Sequence, residues 1–177
     1  IFGWKKTRDT WKGVHNGSIV TIRQKGILIK YDGLSQPDVI RFLGLSDPIS
    51  DIIESIREHI IAYKGSPDRF FETRYSQSRG LRILRQHPWE CLVSFICSAN
   101  SNVSTIGKRI NLILGRYGTS CTIFENTFPD PAVLSQCQEP ELRECLTGYR
   151  APYLIKTAQY IHEHPDNSFF WGQAWHH

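Results

Sequence analysis

Methionine is absent from all 177 residues, and the chain begins on Ile1. Together these features predict a piece of a longer chain whose ends lie elsewhere. No apolar run approaches the roughly 18 residues a membrane span requires, and no charged-then-apolar leader opens the sequence. The five cysteines, at 91, 97, 121, 137 and 145, are odd in number and contain no Cys-x-x-Cys pair. That argues against a disulfide framework and against zinc or iron–sulfur sites, and it favours a reducing compartment. Cys91 and Cys97 are expected in the core. There is no glycine-rich phosphate loop, no Gly-x-Ser-x-Gly elbow and no His-Glu-x-x-His pair. The histidines are scattered, and His162, His164 and the terminal His176-His177 suit chain ends better than a metal centre. No cofactor and no metal are expected.

What is present is a foldable composition, 40% hydrophobic and 12% aromatic, with a net charge of +4. The charge is uneven. Lys5, Lys6, Arg8, Lys12, Arg23, Lys25 and Lys30 face only Asp9 in the first thirty residues, and Arg79, Arg82, Arg85, Lys108, Arg109 and Arg116 follow. Such clustering suits a polyanion, and equally a solvated surface.

Residues 1–32 read as an antiparallel meander. Ile19-Val20-Thr21-Ile22 and Ile27-Leu28-Ile29 are β-rich and are punctuated by Asn16-Gly17, a strong hairpin signal, and Lys25-Gly26. Trp4 and Trp11 are expected on the first two strands, either side of a charged turn, packing one face of the sheet onto helices. From Gln36 proline takes over: seven of the nine prolines (37, 48, 67, 88, 131, 140 and 152) precede runs of helical periodicity. Asp47, Ser66 and Asp130 are the expected caps.

The chain is organised around Leu81–Gly118. Trp89, Leu92, Val93, Phe95 and Ile96 form one helical stripe, and Val103, Ile106, Ile110, Ile113, Leu114 and Tyr117 form another. Between them stands Cys97-Ser98-Ala99-Asn100-Ser101-Asn102, richer in amides and hydroxyls than a corner needs. A second corner follows a helix bearing Leu142, Cys145 and Leu146. There Gly148 is expected as the left-handed stop, holding Tyr149 beside Arg150 before the helix of Leu154, Ile155, Ala158 and Ile161.

An aromatic that can wedge into a base stack, a guanidinium that can donate to O2 and N3 of an orphaned cytosine, and amides that donate and accept suit a nucleic acid. Each residue also has an ordinary use. Asn102 can N-cap a helix, Asn100 can close a turn, Tyr149 can cover the core, and Arg150 can bind a helix C-terminus.

The strings Leu81-Arg82-Ile83-Leu84-Arg85-Gln86-His87-Pro88, Glu90-Cys91-Leu92, Ser94-Phe95-Ile96-Cys97-Ser98 and Gly148-Tyr149-Arg150-Ala151-x-Tyr153 closely resemble the eukaryotic-type 8-oxoguanine DNA glycosylase family. The likeness extends in register, more loosely, from Phe2-x-Trp4 to about His162. It implies an α+β fold: an N-terminal antiparallel β domain like that of TATA-binding protein with a short helix, residues 1–46, then a multi-helix glycosylase domain, residues 47–177, of the helix-hairpin-helix superfamily, cut before the helix-hairpin-helix itself.

The resemblance implies a DNA-facing set of Asn100, Ser101, Asn102, Tyr149 and Arg150. Asn100 and Arg150 would contact the unpaired cytosine, and Tyr149 would wedge beside it. Ser101 stands where the family typically has a second asparagine. The implied activity is excision of oxidised guanine followed by strand nicking, in which a lysine attacks the sugar C1′ with an assisting aspartate. No residue here matches either group, and Lys156 has the register of a surface residue, so no catalytic residue is assigned. The implied partner is double-stranded DNA containing oxidised guanine, met by a monomer in the nucleus and also in the mitochondrion. The alternatives are a non-catalytic damaged-DNA-binding module and a related alkylpurine DNA glycosylase.

Overall fold

A computed structural model describes residues 2–15, 17–122 and 125–165. Asn16 and His176-His177 lie outside the described residues. The chain forms two compact units, Ile1–Leu34 with Gln86–His177, and Ser35–Arg85.

The first unit contains a four-stranded sheet in the order β1 (Lys5–Thr7), β2 (Thr10–His15), β3 (Ser18–Lys25) and β4 (Leu28–Asp32). All neighbours are antiparallel, so the meander of α+β architecture is present as expected. Lys25 pairs with Leu28, which leaves Gly26 and Ile27 as the turn. Ile27 is therefore not in the strand run; it stands exposed at the hairpin tip. Strand alternation places Gly13, His15, Val20 and Ile22 on the inner face. Trp4 lies across Gly13, where an added Cβ would stand 2.4 Å from the indole. Trp11, at the far end of the face, is 46% exposed with the Lys6 ammonium 5.5 Å from its ring, so only one tryptophan packs inward.

The helical part of this unit comprises α4 (Pro88–Ser98), α5 (Val103–Tyr117), α6 (Pro131–Ser135), α7 (Glu139–Leu142) and α8 (Ala151–Glu163). A small ladder, β5 (Ser120–Thr122) with β6 (Glu125–Asn126), follows α5. Trp89, Val93 and Cys97, one turn apart on α4, meet Ile106, Ile110 and Ile113 of α5, together with Leu134, Leu142, Cys145, Leu154 and Ala158. Burying each large aliphatic side chain contributes roughly 1.5–3 kcal/mol. The Trp89 indole donates to Pro129 O at 2.8 Å, which ties α4 to the segment before α6. This helical spacing turns Cys91 and Phe95 outward, and Val103 at the start of α5 is likewise exposed. Phe95 and Val103 thus depart from the predicted stripes and Cys91 from its expected place in the core, while Leu92 and Ile96 pack partly against it.

The second unit holds α1 (Gln36–Phe42), α2 (Ile49–Lys64) and α3 (Arg69–Gln77). Val39 and Phe42 are its buried hydrophobic residues, and two bidentate forks support it. Arg85 grips Asp47 at 2.6 and 3.0 Å, and Arg57 grips Glu72 at 2.7 and 2.8 Å. Asp47 is therefore occupied and does not cap α2. Asp68, not Ser66, caps α3 by accepting from Phe70 N and Phe71 N, and Asp130 caps α6 as predicted. Prolines 37, 88, 131, 140 and 152 sit in first helical turns, while Pro48 is itself the cap position and Pro67 precedes one.

Candidate nucleic-acid interface

The first corner begins where α4 stops. Ala99 leaves helical geometry (φ −51°, ψ 127°), and Asn100 takes a positive φ of 46°, which asparagine tolerates better than most residues. Ser101 N then bonds back to Ser98 O at 3.1 Å. Asn102 is extended, and its side-chain oxygen accepts from Thr105 N at 2.9 Å, so it N-caps α5.

The last carbonyls of a helix have no partner within it. Here they draw in the rest of the site. Phe95 O accepts from Ser98 Oγ, Cys97 O accepts from Arg109, and Ala99 O accepts from Ser101 Oγ and Arg150. No cation occupies the last turn of α4 itself, so the cations that complement its negative end come from α5 and from the start of α8.

The second corner is built from an interrupted helix. After α7 the backbone departs from helical geometry at Cys145 (φ −77°, ψ 22°), and Leu146 adopts a left-handed conformation (φ 59°, ψ 22°). The stop residue is thus Leu146 rather than Gly148, and its side chain is 52% exposed instead of joining Leu142 and Cys145 in the core. Gly148 (φ 56°, ψ −131°) occupies a region closed to side chains, which directs Tyr149 and Arg150 into a tight turn ahead of α8. The fully buried Thr147 secures the turn through its hydroxyl, which donates to Leu142 O at 2.8 Å.

The two corners meet. Asn100 Nδ2 donates to Tyr149 Oη at 3.3 Å, across 49 residues of sequence. Arg150 donates to Ala99 O and, at 3.2 Å, to Ser101 Oγ, while its guanidinium carbon lies 4.3 Å from the Tyr149 ring centroid. Tyr149 is 49% exposed and Arg150 only 6%. Tyrosine therefore forms the outer surface of the site, with arginine beneath it. Of the expected set, Asn100, Ser101, Tyr149 and Arg150 are brought together directly, and Asn102 sits at the edge as a helix cap.

Arg109 is the member that sequence reading missed. Its charge suits the surface, yet it is 4% exposed. Nε donates to Leu146 O at 2.7 Å, and an NH group reaches Ser101 Oγ at 3.2 Å as well as Cys97 O. Its spacing held the signal, since it shares the face of Ile106, Ile110 and Ile113. Burial first, and then the charge of Arg150, hold its pKa below the ordinary value. Cys97 lies against the same pair. Burial pushes its thiol up to about 11 despite both guanidiniums, so it is a neutral packing group and not a nucleophile.

Among the described residues no group of three or more His, Cys, Asp or Glu could hold a metal. Nor is any described helix long and apolar enough to cross a membrane. The arrangement offers an exposed aromatic, an amide beside it and a cluster of guanidinium donors: a surface suited to stacking on, and hydrogen bonding to, a base.

Comparison with known proteins finds similar chains. Residues 1–92 match the model for the 8-oxoguanine DNA glycosylase N-terminal domain, and residues 93–173 that for the HhH-GPD superfamily of base excision DNA repair proteins. The N-glycosylase/DNA lyase of Saccharomyces cerevisiae is 43% identical over 86 residues, covering 46% of this chain and 23% of that protein. The N-glycosylase/DNA lyase OGG1 of Arabidopsis thaliana is 38% identical over 96 residues, covering 52% and 26%. A solved structure of MBOgg1 in complex with a low-affinity DNA ligand superposes with a TM-score of 0.81 at 25% identity, over 96% of this chain and 58% of that one. The 8-oxoguanine glycosylase/lyase of Clostridium acetobutylicum, in complex with double-stranded DNA containing cytosine opposite 8-oxoG, has the same fold at a TM-score of 0.80 and 24% identity, over 96% and 58%. The chain spans about a quarter of the length of these two curated relatives, and over half that of the structures.

Proposed function

The chain belongs to the 8-oxoguanine DNA glycosylase family, and from that membership we propose that it supplies the DNA-binding and opposite-strand-reading part of an 8-oxoguanine N-glycosylase with associated abasic-site lyase activity, working in base excision repair. The observation that carries this reading is the meeting of the two corners, with Asn100 bonded to Tyr149 at 3.3 Å directly above Arg150. Asn100, Ser101, Asn102, Tyr149 and Arg150 form the proposed DNA contact. Tyr149 stacks beside the orphaned base, and stacking of this kind contributes roughly 1–3 kcal/mol, comparable to the cost of extruding a nucleotide. Arg150 and Asn100 then supply donors to the cytosine edge. To do so Arg150 exchanges its bond to Ala99 O for one to the base.

The same proposal places the oxidised base and the attacking lysine outside these 177 residues. Lys156, nearest in sequence to the second corner, is an exposed residue of α8. By themselves the 177 residues are accordingly inactive, and the partner is duplex DNA carrying oxidised guanine, bound by a monomer in the nucleus and also the mitochondrion. The division into a β domain with a short helix, 1–46, and a helical domain, 47–177, is part of this reading.

Fluorescence anisotropy with an 8-oxoguanine–cytosine duplex tests it: Tyr149→Ala weakens binding by about tenfold, in line with the loss of one stacking contact. Unchanged affinity would make Tyr149 a cover for the core. In parallel, borohydride traps no adduct on the 177-residue chain but traps one on a chain extended through a lysine-bearing helix-hairpin-helix, and trapping on the short chain would refute the division of labour.

A further inference from the structure

Arg109 occupies a position that α5 otherwise gives to isoleucine. Ile106, Ile110 and Ile113 line the same buried face. A guanidinium placed there loses its hydration, and among the described residues no carboxylate neutralises it. What it gains is a set of acceptors drawn from both corners. Leu146 O belongs to the second corner, whereas Cys97 O and Ser101 Oγ belong to the first. Ser101 Oγ is shared, since it also accepts from Arg150 at 3.2 Å, so the two arginines grip one hydroxyl from two directions.

We propose that Arg109 is a positioning residue for opposite-base discrimination: a buried fork that fixes the distance between the Asn100–Ser101 corner and the Leu146–Arg150 corner before DNA arrives. This rests on the reading of those corners as the opposite-strand site. Leu146 is the residue whose left-handed backbone begins the turn to Tyr149 and Arg150. Holding its carbonyl holds that turn. The charge of Arg109 acts in the same direction, because it stands beside Arg150 with no anion between them and disfavours the folded-back position in which Arg150 bonds Ala99 O. The Nε of Arg150 has no partner there, so the inward position is incompletely satisfied. Arg150 is thereby poised to move to an acceptor on the DNA. A lysine cannot reproduce the arrangement, since one ammonium on a flexible stem does not span two corners with fixed geometry.

The test compares affinities of wild type, Arg109→Met and Arg109→Lys for duplexes with cytosine or adenine opposite 8-oxoguanine, alongside an undamaged duplex. Measurements are made at a temperature where circular dichroism shows each variant folded. A good base contact gives about tenfold discrimination or more. The wild type is expected to show that preference for cytosine. Arg109→Met abolishes it, and Arg109→Lys restores only part. A purely structural role would lower the melting temperature and leave the preference of the folded protein intact. That result, with the wild type discriminating, overturns the inference alone. A wild type with no preference would instead overturn the reading on which it rests. Should Arg109→Met fail to fold, Arg109→Lys makes the same comparison, and full wild-type discrimination in it is the refuting result.

Discussion

Arg150→Met separates a helix-capping arginine from a DNA-reading one. Arg150 is 6% exposed and bonds Ala99 O and Ser101 Oγ; a third bond, to Thr147 O, is long at 3.4 Å. Hydrogen bonds to a charged group are worth about 1.5–3 kcal/mol each, which suggests a loss of roughly 3–6 kcal/mol. Two features offset it. Nε is buried without a partner, and such a group costs about 1–3 kcal/mol. The neighbouring Arg109 adds like-charge repulsion. Methionine retains much of the apolar packing. The expected destabilisation is therefore only about 2 kcal/mol, small for so buried an arginine. Urea denaturation measures this, and anisotropy measures the affinity for an 8-oxoguanine–cytosine duplex, expected to fall at least about tenfold. A stability loss above about 4 kcal/mol with unchanged DNA affinity would refute the reasoning and leave Arg150 as a cap of α4.

Three further outcomes follow from the same geometry. Gly13→Ala drives a Cβ into the Trp4 indole and should cost about 1–3 kcal/mol of stability by denaturant titration. Burial pushes the carboxyl of Glu90 from 4.5 up to about 7. As the pH rises the unfolded state ionises first, so the stability due to this group is complete below about pH 4.5 and lost by about pH 7. Glu90→Gln should flatten that part of the pH profile and be the more stable protein at pH 8, on the order of 2 kcal/mol; a parallel profile would count against it. Leu146→Asn replaces a half-exposed leucine in a left-handed conformation with a residue that tolerates it, and should raise stability by about 1 kcal/mol on thermal melting.

Much of the fold was legible in the sequence because its punctuation is local. Gly26 closes a hairpin, and five prolines open helices where they were expected to. Tertiary choices were less legible. Asp47 looks like a cap until the fork of Arg85 claims it, and α2 starts with no side-chain cap. Phe95 and Leu146 read as core residues by type. α4 gives the core Trp89, Val93 and Cys97 fully and Leu92 and Ile96 in part, which leaves Phe95 facing out, and a left-handed turn carries Leu146 outward. The composition of the two corners was visible, but their meeting was not, because 49 residues separate Asn100 from Tyr149. Arg109 was hidden for the opposite reason. Its type says surface while its spacing says core, and the acceptors that reconcile the two come from segments distant in sequence.

The central claim is that the Asn100–Tyr149–Arg150 corner meets the base opposite the lesion. Photo-cross-linking tests it most directly: 5-iodocytosine is placed opposite 8-oxoguanine in a duplex, irradiated in complex with the chain, and the joined peptide identified by mass spectrometry. The account predicts attachment to Tyr149, lost in Tyr149→Ala. Attachment confined to the sheet or to α2, with none at either corner, would contradict it.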